Sequence, residues 1–207
     1  WTLENKTLVV TVQAEAGTFT VLDKAAGYLW RGPEGQRPAG ATLLVPLAPA
    51  AVAVVPDLLT EGKRPQHAAD LSGEVRLAWD PQGLTLTAQV KDDKLVLNTA
   101  AEERWWEKDS LEFWLGNTQY AVRFGDWGAN LWASGGGATS GSRVAWKPVA
   151  GGYQLEVFLP PALVGLGGKP AAGQRFAFAV GLNDCDGGGR ETQLYYPAGW
   201  VHSNSAT

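Results

Sequence analysis

Apolar and polar residues alternate with a period of two over much of the chain. In SLEFWL, from Ser110, the side chains of Leu111, Phe113 and Leu115 share one face and those of Glu112 and Trp114 the other, because successive side chains of a strand point to opposite sides. Residues 74–79 set Val75, Leu77 and Trp79 against Glu74, Arg76 and Ala78. The turn Asp80-Pro81-Gln82-Gly83 then leads into 84–90, with Leu84, Leu86, Ala88 and Val90 inward, which predicts a hairpin. Residues 119–124 group Tyr120, Val122 and Phe124, and 144–148 with 152–159 predict a second hairpin through Gly151-Gly152. In 175–183 the large residues Phe176, Phe178, Val180 and Leu182 alternate with Ala177, Ala179 and Gly181 before Asn183. The large side must be core; the small side either admits a close-packed layer or floors a groove. Residues 191–196 form the next strand.

The N-terminal third is less regular. Residues 1–30 read as two or three strands, with Leu8, Val10 and Val12 alternating against Thr7, Val9 and Thr11, followed by turns at 16–17 and 23–27. The string RGPEGQRPAG at 31–40 is loop, since proline and glycine there deny both ladder bonds and regular dihedrals. A strand is expected at 42–47, whereas prolines interrupt 48–56, and 60–70 is polar, with His67 a solvated loop residue. Glycine and serine make 134–142 a flexible excursion, and 160–168 a short helical turn or loop. Short strands, glycine and proline turns, and the lack of a long periodic helix or a fixed-period repeat predict an all-β antiparallel sandwich. Two packed sheets with a jelly-roll-like course would form a single domain over 1–207, with extra strands and a loop in 1–60 and the main core in 70–207.

Composition narrows the partners. A formal charge of −4 and a pI near 5.2 offer no basic field for nucleic acid or anionic lipid, so neither nucleic acid nor membrane is expected as a partner. Cys185 is the only cysteine, which leaves no intrachain disulfide. No apolar run is long enough to span a bilayer, and no charged-then-apolar signal segment starts at Trp1. Ten tryptophans with no methionine are the main compositional signal, far above ordinary usage.

The tryptophans meet the strongest strand in RWWEKDSLEFWL at 104–115. Indole planes beside fixed charged acceptors and donors suit a sugar, whose C–H face stacks while its hydroxyls take hydrogen bonds. WEKDSLEFWL resembles the Trp-x-x-Asp-Ser-Val-Glu strand entry of the family 9 carbohydrate-binding modules, β-sandwich sugar binders often joined to glycoside hydrolases. The blocks DLSGEVRLAWDPQGLTLTAQVKDD at 70–93, GGYQLEVFLP at 151–160 and FAVGLNDCDGGGRETQLYYP at 178–197 resemble the same family in the same order.

What the resemblance implies is an indole clamp with polar groups from the sheet beneath. Trp106 stands six residues ahead of Glu112, as the first clamp indole stands ahead of a binding glutamate, and Arg104 takes the polar position two residues before it. Trp200 is the tryptophan available for the second wall, with Tyr195 and Tyr196 as substitutes. The family's arginine and asparagine on the neighbouring strand fall on Ala121 and Arg123, so one is missing and the other replaced. Trp114 and Asn183 complete the candidate ligand-binding set. The resemblance further implies structural calcium, for which Asp92, Asp93, Asp184 and Asp186 are the clustered carboxylates. It implies non-catalytic binding of a β-glucan or xylan-type polysaccharide or oligosaccharide, chain ends included as sites of capture, a covalently linked catalytic domain, and a secreted, extracellular setting. Two alternatives stand beside it. A glycoside hydrolase or lyase could use Asp109 and Glu112, although three residues apart on an extended segment they point to opposite faces. A haem-binding electron-transfer sandwich would have only His67 and His202 as axial ligands.

Overall fold

A computed structural model describes residues 2–13, 18–24, 28–32, 41–44, 50–101, 103–164 and 175–198. The chain forms β1 (Thr2–Glu4), β2 (Leu8–Gln13), β3 (Thr18–Asp23), β4 (Tyr28–Gly32), β5 (Ala41–Leu44), β6 (Ala50–Val54), β7 (Leu59–Gly62) and β8 (Leu71–Asp80). There follow β9 (Gly83–Asp92), β10 (Ser110–Leu115), β11 (Thr118–Gly125), β12 (Gly128–Ala133), β13 (Arg143–Val149), β14 (Gly152–Leu159), β15 (Arg175–Asp184) and β16 (Thr192–Tyr196). The helical elements among the described residues are short 3-10 turns, including Trp105–Glu107, Ser134–Gly136 and Pro161–Leu163.

Two antiparallel sheets make the sandwich. One runs β12-β11-β10-β15-β16-β7, with β5 also paired to β15, and the other runs β13-β14-β9-β8-β6. Their facing sides follow the alternation in the sequence. Leu111, Phe113, Tyr120, Val122, Phe124, Phe178, Val180, Leu182 and Leu194 from the first meet Val75, Leu77, Leu84, Leu86, Val90, Tyr153, Leu155 and Val157 from the second in one core. Phe124 joins the layers directly, its ring centroid lying 4.7 Å from that of Tyr153 and 5.0 Å from that of Trp146. The predicted turn after β8 is closed by Asp80, whose Oδ1 accepts from the amides of Gln82 at 2.7 Å and Gly83 at 3.1 Å.

The extra N-terminal strands are present. Strands β1 to β4 form their own four-stranded antiparallel sheet rather than extending either sandwich sheet. Asn5 turns β1 into β2, its Oδ1 accepting from the amides of Thr7 at 2.8 Å and Leu8 at 2.7 Å. The segment between 41 and 62, expected outside the core, supplies three sandwich strands: β5 pairs with β15, β6 with β8 and β7 with β16. Pro56 opens the 3-10 turn Pro56–Leu58 between β6 and β7, so it punctuates the segment without breaking a ladder. The glycine-rich excursion begins with the turn at Ser134–Gly136, and the Gln119 amide donates to Ser134 Oγ at 3.2 Å.

Candidate functional site

The outward face of the larger sheet carries one cross-strand row of alternating size. Trp132 on β12 is paired with Ala121 on β11, Ala121 with Glu112 on β10, Glu112 with Gly181 on β15, and Gly181 with Tyr195 on β16. The small residues flanking Glu112 leave its carboxylate at the base of a depression. The next row is polar: Ser110 is paired with Asn183, Asn183 with Gln193, and Gln193 with Glu61 on β7.

Side-chain amides hold the Glu112 carboxylate in place. Gln119 Nε2 donates to Oε2 at 2.7 Å and Asn183 Nδ2 donates to Oε1 at 2.6 Å. Asn183 is itself held from behind, since its Nδ2 also donates to Ser110 Oγ at 3.0 Å and its Oδ1 accepts from Gln193 Nε2 at 2.7 Å. Glu112, Asn183, Ser110 and Gln193 are buried, so a satisfied polar network rather than solvent sets their geometry. Burial first and the Glu112 charge second hold the Tyr195 hydroxyl above the ordinary phenol range.

Three indoles stand over this floor. Trp105, in the turn before β10, is buried and packs edge-on to Trp106 at 5.4 Å and tilted against Trp132 at 5.6 Å. Trp106 and Trp132 stay exposed, at 37% and 36%. They wall a groove of about 440 Å³ whose floor includes Glu112, Gln119 and Tyr195, and whose far end holds Arg190, Gln193 and Glu61. A hollow of similar size, about 450 Å³, lies on the other sheet among Glu74, Arg76, Gln89, Gln154 and Glu156. Its one indole, Trp146, is half-buried and packs against the core through Phe124, so that hollow lacks the pair of exposed indoles seen in the groove.

The expected site residues separate on this frame. Trp106 and Glu112 line the groove together. Asn183 lies beneath it and acts through Glu112. Trp114, expected as a ligand contact, is buried against Tyr195 at a centroid distance of 5.4 Å instead. Tyr196 has the opposite parity and packs on the sandwich core, so the groove tyrosine is Tyr195. Arg104 is turned to an ion pair with Glu107 and does not line the groove. Arg123, expected to meet Glu112 over one groove, donates from Nη2 to the Ala100 carbonyl at 3.2 Å and lies 5.9 Å from the Trp127 ring, away from Glu112. Trp200 lies outside the described residues. Alternation alone missed Trp132, Gln119, Arg190, Gln193 and Glu61; the register of the β10-β11-β12 meander is the signal that brings Trp132 beside Glu112.

The aspartates divide into two clusters. Asp92, Asp109 and Asp184 are buried and place carboxylate oxygens within 4.8 Å of one another, and Asp70, Asp93 and Asp186 do the same nearer the surface. Asp109 Oδ1 accepts from the Cys185 amide at 2.8 Å, its Oδ2 accepts from the Val96 amide, and Asp92 Oδ1 accepts from the Lys94 amide at 2.9 Å. Asp92 Oδ2 is buried and meets no hydrogen-bond partner among the described residues. Burial, and then the Asp92 charge, raises Asp109 and pushes Asp184 up to about 7; burial is also the main cause that raises Asp92. Three buried oxygen donors of one sign, one of them unsatisfied, are a group that could hold a hard divalent cation. Asp109 and Asp70 are the members that the sequence reading did not assign to metal.

Among curated proteins, none matches the chain. Solved structures that share the fold include a family 9 carbohydrate-binding module from Caldicellulosiruptor kristjanssonii in complex with cellotriose, and one from the same organism in complex with glucose. The first is 18% identical, with a TM-score of 0.55 over 70% of this chain and 72% of the other. The second is also 18% identical, with a TM-score of 0.54 over 70% and 73%. The family model described as carbohydrate family 9 binding domain-like matches residues 50–203, a span that starts at β6 and takes in the groove. The chain therefore belongs to the carbohydrate family 9 binding domain-like family.

Proposed function

We propose that the chain is a non-catalytic carbohydrate-binding module whose groove takes β-linked glucan or xylan-type chains, chain ends among them, and holds them for a linked catalytic domain outside the cell. The observation that carries the reading is the pairing of exposed indoles, Trp106 and Trp132, with an amide-pinned carboxylate, Glu112, in one groove. Indole faces stack on sugar C–H faces, and a charged acceptor makes the stronger bonds to hydroxyls. The relatives in complex with cellotriose and glucose support a saccharide ligand.

The carboxyl geometry favours binding over hydrolysis. Asp109 is buried, with both oxygens on backbone amides, and is not among the groove residues. Glu61 and Glu112 share the groove but sit on strands three apart in the sheet, roughly 14 Å at ordinary strand spacing. Glycosidase carboxyls stand much closer than that. We further propose that calcium occupies the Asp92, Asp109 and Asp184 cluster and secures the ends of β9, β10 and β15. The test is retention on insoluble cellulose and xylan and calorimetric titration with glucose and cellotriose, with reducing sugar assayed in parallel. Retention without release of sugar is expected; turnover by the chain would reverse the reading.

A further inference from the structure

The groove is longer than one sugar ring, and its ends differ. From Trp132 on β12 to Gln193 on β16 it crosses four strand spacings, roughly 19 Å, which suits a short oligosaccharide. Indoles occupy the β12 end. At the other end the Arg190 guanidinium donates to Glu61 Oε2 at 2.8 Å and reaches Asn183 Oδ1 at 3.5 Å, beside the Gln193 amide. Those contacts engage two of the five donors that a guanidinium carries. Arg190 is 21% exposed and Glu61 66%, and an ion pair with one partner so exposed adds little to folding. The pair therefore presents fixed donors and an acceptor at the groove's end without being needed to hold the fold.

Resting on the saccharide reading above, we propose that Arg190 and Glu61 form a distal subsite for a neutral sugar unit. This unit lies further along the chain than the one held by the indoles. Arg190 donates to neighbouring hydroxyls and Glu61 accepts. The pair is neutral overall and Glu112 is anionic, so the subsite selects an uncharged unit over a uronate.

The test is calorimetric titration of the full chain and of Arg190→Ala, Arg190→Lys and Glu61→Gln with glucose, cellobiose, cellotriose and an oligouronate. Wild-type affinity is expected to climb with chain length. Arg190→Ala should cost cellotriose about tenfold more than it costs glucose, as the loss of a charge-assisted bond implies. Arg190→Lys should recover part of that difference, and thermal midpoints should stay close to wild type. An equal loss for glucose and cellotriose, no loss for either, or preference for the oligouronate overturns the subsite while leaving the saccharide reading in place. Wild-type protein that binds none of these sugars overturns both.

Discussion

The ring of Tyr195 lies on Gly181. A Cβ placed on residue 181 would fall 1.9 Å from Tyr195 Cε1, so glycine is the residue that lets the tyrosine lie flat beside Glu112. Gly181→Ala should lift or displace that ring, at about 1–3 kcal/mol for overpacking a filled site, and weaken sugar binding with it. Denaturant unfolding and a sugar titration on the same variant check this. Unchanged stability would mean that the ring has another resting place.

Neighbouring indoles should behave differently. Trp106 is an exposed wall, so Trp106→Ala should leave the thermal melt near wild type and remove about 2 kcal/mol or more of binding, as for a hot-spot residue. Trp105 is buried between Trp106 and Trp132, so Trp105→Ala should destabilise by about 3–5 kcal/mol as a large-to-small core change. Melting curves of both variants decide the matter, and an unfolded Trp106→Ala would assign that indole to packing.

Asn183 connects Ser110, Gln193 and Glu112 through buried hydrogen bonds. Asn183→Ala removes all three together and should cost about 1–3 kcal/mol or more through unsatisfied buried groups, with weaker sugar binding because Glu112 is no longer held. Glu112→Gln, which keeps the shape and loses the charge, should weaken sugar binding without abolishing it. Paired unfolding and titration experiments separate the two effects; equal behaviour of the two variants would remove Asn183's positioning role.

The aspartate cluster predicts a pH dependence of definite sign. Asp184, held at about 7 by burial and the Asp92 charge, binds its proton more tightly in the folded chain than in the unfolded one, and Asp92 and Asp109 are raised in the same direction. The stability this contributes is full below the ordinary aspartate range and is lost as pH rises through about 7. Chelated protein should therefore melt lower at pH 8 than at pH 5. Calcium should reverse the loss, by about 2.7 kcal/mol at a hundredfold excess over its Kd. Scanning calorimetry with chelator and with calcium checks this, and a melt indifferent to both would remove the cation from the cluster.

Alternation by itself determined the sandwich, because the period of two assigns each side chain to a face whatever its partner strand. It therefore placed Leu111, Phe113, Val180 and Leu182 in the core and put Glu112 on the outward side. It could not say which outward residues share a groove, since that depends on register and strand order. Only the pairing of Gly181 with Tyr195 and of Ala121 with Trp132 brings those rings beside Glu112. Tyr195 and Tyr196 both stood as substitutes for the second wall until the pairing of β16 with β15 put Tyr195 in the groove row and Tyr196 toward the core. Arg123 has the correct parity, yet the crossing segment at Ala100 draws its guanidinium away. Arg190 reaches the site from a turn and Glu61 from an edge strand, a meeting of residues 129 positions apart. No local pattern encodes that contact; the order β15-β16-β7 creates it.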